Sequence, residues 1–389
     1  MSELVEAKDL AFPVEEFRRR LGAVQAEIAR RGLDGAVVVG PQNLFYLTGY
    51  ETIGYANFQL AGVPASGEPR LLVRQLESAA ARRLSWMDAA PAPWEDDRDP
   101  LEQAVAMLRE MGLDRGRIGV DERSMFLTVR TWRRLRELLP DAELADGSGV
   151  VEGARRIKSP AELECFRTAA AYTSAGMRAA IDAVREGAYD NEVGAAAAEA
   201  MYRAGSEYVA SGPTVTTGYR SGIAHTTFAR HRIERGDAVL IELGGLHRRY
   251  TTALMRSAVV GPPSDVARRM YDTCSRALDA AIAAVRPGVT SGAVHDACQR
   301  VIDDAGFEPN FRKRLGYSIG VGFAPGWGEG AFLELGKGDP TVLEPGMVFH
   351  MPPALRIYAE VGVGCSETIA VTEEGAEVLS DFPRELAVR

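Results

Sequence analysis

Apolar residues recur with a helical period near the start of the chain. In VEEFRRRLGAVQAEIARRG, Phe17, Leu21, Val24 and Ile28 share one face, Gly32 breaks the pattern, and the apolar run 36–39 follows. This predicts a helix leading into a buried strand. Further short apolar runs at 71–73 and 118–120 alternate with helical stretches such as 101–111, so residues 1–155 are predicted to form an α/β domain around a sheet of several strands. The intervening NLFYLTGYETIGYANF is unusually aromatic. Its rings Tyr46, Tyr50, Tyr55 and Phe58 read either as a packed lid over that domain's core or as part of a binding surface.

After DGSGVVEG, the run Ser159-Pro160-Ala161-Glu162 has the form of a capping box with proline at the first helical position, which opens a second domain over 156–389. Within it the chain repeats itself. Residues 183–205 (AVREGAYDNEVGAAAAEAMYRAG) match 284–306 (AVRPGVTSGAVHDACQRVIDDAG) without a gap, pairing Gly187 with Gly288, Val193 with Val294, Met201 with Ile302 and Gly205 with Gly306. Each copy reads as a helix end, a glycine turn and a second helix, and each is followed by strand-like sequence, ERGDAVLIEL or EPGMVFHMPP. Two αβ halves packed on each other leave a cleft at their pseudo-twofold axis, a natural place for a site built from both.

Composition narrows the function. A chain of 389 residues suits two domains, and a formal net charge of -9 argues against a general nucleic-acid surface. No apolar run approaches the roughly 20 residues that span a bilayer, and the opening MSELVEAKDLAFPVEEF lacks a signal-peptide pattern, so a soluble cytoplasmic protein is expected. Cys165, Cys274, Cys298 and Cys365 are widely spaced without a CxxC pair and read as buried thiols.

Two carboxylates and two histidines stand out as candidate chemistry. In the strand-like AVLIEL, alternation puts Leu240, Glu242 and Gly244 on one face, and a carboxylate inside an apolar strand is costly unless it is paired or neutralised. Glu367 opens a later apolar strand. His225 lies in a loop rich in glycine, serine and threonine, and His350 shares a strand face with Pro352. Two carboxylates can divide acid, base and nucleophile roles when their surroundings push their pKa values apart. His231, His247 and His295 read as solvated.

The order and spacing of VASGPTV, AHTTF, GDAVLIELGG, RYTTALMRS, GYSIGVGF, EPGMVF and SETIAVTEEG resemble the creatinase, prolidase and aminopeptidase P family across the whole chain. The resemblance implies a creatinase-type α/β N-terminal domain and an α+β duplicated pita-bread catalytic domain. Metal-dependent members hold two hard cations with two aspartates, a histidine and two glutamates. Matched motif by motif, those positions carry Glu242, Ala253, Tyr317, Pro352 and Glu367 here, so no metal and no other cofactor is expected. The run GYSIG with PGWGE behind it, FHM around His350, and the terminal FPRELAV are similar to the ectoine hydrolase branch. That branch implies metal-independent hydrolysis of a C–N bond in a small cyclic amidine. Glu242 would act as nucleophile or general base, His225 as proton carrier and Glu367 as orienting group. Tyr317, His350, Tyr55 and Phe58 would bind substrate. The family further implies a homodimer in which one subunit's small domain reaches its partner's cleft. A metal-dependent Xaa-Pro peptidase, a creatinase-like amidinohydrolase and a non-catalytic binding module are the alternatives on the same fold.

Overall fold

The structure is a computed structural model that describes residues 8–311, 313–329 and 332–389. The chain divides into two compact units with the boundary between Arg155 and Arg156.

The first unit is an α/β layer. Its six-stranded sheet runs in the order Ala92–Trp94, Arg70–Arg74, Leu60–Pro64, Gly35–Val38, Gly116–Val120, Ala142–Asp146, with parallel and antiparallel neighbours mixed. The opening helix is Val14–Arg30, and it buries the expected stripe Phe17, Leu21, Val24 and Ile28. The aromatic run divides by burial. Tyr46 and Tyr50 are core residues, Tyr55 packs edge-on against Phe126, and Phe58 lies against the domain core with its carbonyl accepting the Trp94 indole N–H.

The second unit opens with the predicted capping box: Ser159 Oγ accepts from the Glu162 amide, and the Glu162 carboxylate accepts from the Ser159 amide. The helix it starts, Pro160–Ala183, pairs with Asp190–Ala204, and Asp265–Ala284 pairs with Ser291–Asp304. The repeat is visible in the backbone. Gly187 and Gly288 take φ of 84° and 85°, the left-handed turn that side chains disfavour, and Gly205 and Gly306 close the following helices with φ of 110° and 78°. At the matched positions Val193 and Val294, and Met201 and Ile302, are all fully buried.

Each helix pair covers one face of a sheet. The first sheet is ordered Ala387–Val388, Leu254–Val259, Ala238–Leu243, Thr214–Thr217. The second carries Ala376–Val378, Glu367–Val371, Val348–Met351 and Gly316–Phe323 in that order. Val239, Ile241 and Leu243 join the first helix-packed core, while Leu240 clusters on the other face with Met255 and Ala354. Among the described residues no helix is long and apolar enough to cross a membrane.

One reading is corrected. His295 is 4% exposed rather than solvated, with Nδ1 3.2 Å from Asp296 Oδ1. The spacing of Ser291, His295, Cys298 and Ile302 places it on the buried face of its helix.

Candidate active site

Glu242 is the half-buried position in a strand that is otherwise buried, and it faces away from the helix-packed core. Its register partners are Met255 on one side and Thr214 on the other. Burial raises its pKa, opposed by the charges of Lys313 and Arg356, and no described residue donates a hydrogen bond to it. A carboxylate over an apolar floor, with two cations around it and no fixed donor, is set to receive a donor from a guest.

The cations come from separate segments. Lys313 as a residue is exposed, yet its ammonium turns inward and donates to Pro352 O at 2.7 Å. The protein around that ammonium, with the charge of Arg356, lowers its pKa to about 8. With its pKa at about 8, the group is still mostly charged at neutral pH. Arg356 lies half-buried in the hairpin Ala354–Ile357 and Val361–Gly364, and its Nε is enclosed without a described acceptor.

The charge of Glu242 acts on the phenol of Tyr317, which strand pairing sets opposite His350. The Trp327 indole N–H donates to the Tyr317 hydroxyl at 3.0 Å, and that hydroxyl is 3.0 Å from His350 Nδ1. His350 Nε2 is 2.8 Å from Ser366 Oγ, which also accepts the Met255 amide at 2.6 Å. Burial, with the charge of Lys313, holds His350 down to about 3, so its ring is neutral and carries one proton. If that proton sits on Nε2, the hydroxyl proton of fully buried Ser366 is stranded, which costs about 1–3 kcal/mol. If it sits on Nδ1, Ser366 donates to Nε2, Nδ1–H donates to Tyr317, and the Tyr317 proton has no acceptor among the described residues. Each arrangement leaves one hydroxyl proton without an acceptor among the described residues; Ser366 is fully buried while Tyr317 is half-buried, so the second leaves it on the hydroxyl that solvent or a guest can meet. Burial and the charge of Glu242 keep that phenol protonated.

The candidates read from sequence therefore separate. Glu242, Tyr317 and His350 come together. His350 is fully enclosed with both ring nitrogens engaged, so it positions Tyr317 and does not touch substrate as expected. His225 is exposed, with φ of 58° and no hydrogen bond to a described residue. Its loop follows the short helix Gly218–Gly222, whose last residue lies against the Ile357 carbonyl.

Glu367 departs from its expected role. Alternation along Glu367–Val371 puts it with Ile369 and Val371 on the helix-packed face, opposite Thr368 and the preceding Ser366. There Oε1 accepts from Arg256 Nη2 at 2.6 Å and Arg384 Nε at 3.0 Å. Arg256 spends its remaining donors on the carbonyls of Met255, Ser366, Phe382 and Pro383, which ties down the C-terminal segment. Tyr55 and Phe58 belong to the first unit. Sequence reasoning missed Lys313, Arg356 and Ser366. The basic run before GYSIG was the one available signal.

The donor set does not fit a two-cation centre. The charges of Lys313 and Arg356 act on Glu242, Glu367 is paired with arginines on the other face, and Ala253 and Pro352 bring no ligand atom from their side chains. Among the described residues no group of three or more His, Cys, Asp or Glu could hold a metal ion.

Residues 164–373 match metallopeptidase family M24, and residues 20–157 match the creatinase/prolidase N-terminal domain. The chain belongs to the M24 family. Its M24 relatives include an ectoine hydrolase of Halomonas elongata, 30% identical over 98% of this chain and 99% of that protein. An Xaa-Pro dipeptidase of Pyrococcus furiosus is 26% identical over 95% and 99%. The solved M24 dipeptidase PepE of Mycobacterium ulcerans superposes with a TM-score of 0.83 at 27% identity, over 97% and 99% of the two chains. The pita-bread architecture with its creatinase-type N-terminal domain is thus shared with this family of hydrolases and peptidases.

Proposed function

We propose that the chain hydrolyses a C–N bond in a small cyclic amidine, with ectoine or a ring analogue as substrate, using Glu242 and no bound metal. The observation that carries this reading is the isolation of Glu242: one carboxylate of raised pKa, without a hydrogen-bond donor among the described residues, whose charge acts on the Tyr317 phenol. The 30% identity to an ectoine hydrolase agrees with it.

An amidinium presents N–H donors to a carboxylate and an electrophilic carbon beside it. Glu242 would hold the cation and then either attack that carbon or take a proton from the water that does. The new C–O bond forms as one C–N bond breaks. The leaving nitrogen takes a proton from Tyr317 or from His225, and water restores the donor. The net change is amidine plus water to amide plus amine. A raised carboxylate pKa suits this work, because a base nearer neutrality takes a proton more readily.

The test is a turnover screen on chelator-treated protein with ectoine, hydroxyectoine, creatine and Xaa-Pro dipeptides, with and without added manganese. Ring opening of ectoine or hydroxyectoine in chelator is the expected result. Turnover confined to Xaa-Pro dipeptides and dependent on manganese overturns the proposal.

A further inference from the structure

Lys313 and Arg356 lie near a single carboxylate, Glu242. Lys313 spends one of its three N–H donors on Pro352 O, leaving two. The backbone of Arg356 is held through its carbonyl, which accepts from Asn310 Nδ2 at 2.9 Å, while its enclosed Nε has no acceptor among the described residues. Glu242 is the acidic group whose charge acts on both. Two cations against one carboxylate leave at least one positive charge uncompensated, with donors that have no acceptor among the described residues. Enclosing such donors is unfavourable unless a guest supplies the acceptor.

We infer that Lys313 and Arg356 form a carboxylate-holding subsite, so that the molecule bound beside Glu242 is a zwitterion, anionic at one end and cationic at the other. This rests on the proposed reaction and names its substrate class. A guanidinium fork matches the two oxygens of a carboxylate, and the Lys313 ammonium adds a point charge. The same molecule must place an N–H cation against Glu242, which points to a ring amino acid or amidino acid. An isolated anion such as phosphate would leave Glu242 unanswered.

The subsite is tested with a ligand that cannot react. Pipecolate is a six-membered ring amino acid without an amidine, and pipecolamide is the same ring with its carboxylate masked. Calorimetric titration of the full chain should show pipecolate binding roughly 10- to 100-fold more tightly than pipecolamide, the range expected for charge-assisted hydrogen bonds. Lys313→Met or Arg356→Met should bring the acid down toward the amide, and Arg356→Lys should recover part of the preference. Equal binding of acid and amide by the unaltered chain overturns the inference, as does failure of the acid to bind at millimolar concentration. Neither outcome depends on a folded variant. The two claims also fail separately: acid preference without ectoine ring opening removes the reaction and keeps the subsite, whereas ring opening without acid preference removes the subsite alone.

Discussion

Glu242 and Glu367 are two acidic residues in the strands of one unit, and their surroundings give them opposite work. Glu367 is 1% exposed and lies on the helix-packed face, where Arg256 and Arg384 converge on one of its oxygens. Glu242 lies on the opposite face of its own sheet from the helices, half-buried over Leu240 and Met255, with cations near it but no hydrogen bond from any described residue. The first carboxylate is paired inside the protein through Oε1, while its Oε2 is enclosed without a hydrogen bond from a described residue. The second is held in reserve. A carboxylate in an apolar strand signals cost, and only its partners tell whether that cost is met inside the protein or left for a ligand to meet.

The comparison can be broken at either end. Arg256→Met should have the larger effect on stability, because it removes the fully buried partner of the Glu367 carboxylate, leaving it Arg384 alone, and releases the carbonyls of Phe382 and Pro383. A loss of about 3–5 kcal/mol in denaturant unfolding is expected for removing one partner of a buried ion pair. A loss of turnover with unchanged stability would place Glu367 in the chemistry instead.

The pH profile sharpens the other end. Substrate binding needs the Lys313 ammonium, whose pKa is lowered to about 8, so kcat/KM should fall as pH rises through that value. The fall should be roughly tenfold per pH unit for a single titrating group. Reaction through a carboxylate needs Glu242 ionised, and burial raises its pKa, so activity should fall on the acid side at a pH above the ordinary carboxylate range. Arg356, Tyr317, Cys274 and Cys298 also face Lys313 or Glu242, and none of them changes charge in that window. His350, held down to about 3, adds no limb near neutrality. Lys313→Arg should move the basic limb beyond pH 8, and a profile unchanged by that substitution would separate Lys313 from substrate binding.

Much of the frame was legible in the sequence because it is local. The Gly187 and Gly288 turns announced themselves through an ungapped repeat, and strict alternation in AVLIEL gave the face of Glu242. What escaped depends on segments far apart in the chain. Arg356 and Lys313 are 43 positions from each other and both are more than 70 beyond Glu242, and nothing in a basic run tells which charge turns inward. The face of Glu367 was illegible for a related reason. Alternation fixes which residues share a face but not which face the helices cover, and only the folded register with Arg256 decides that. His350 looked like a substrate contact because it shares a face with the site, and it was enclosed by Ser366 and Tyr317, two partners that periodicity does not reveal.

The most direct measurement is the turnover of ectoine by Glu242→Gln, alongside the unaltered chain and with folding checked by calorimetry. Replacing the reacting carboxylate by an amide of the same shape should lower kcat/KM by about 10²- to 10⁴-fold while the melting temperature holds or rises, since a poorly paired buried acid is removed. A folded variant that keeps most of its turnover would contradict the account.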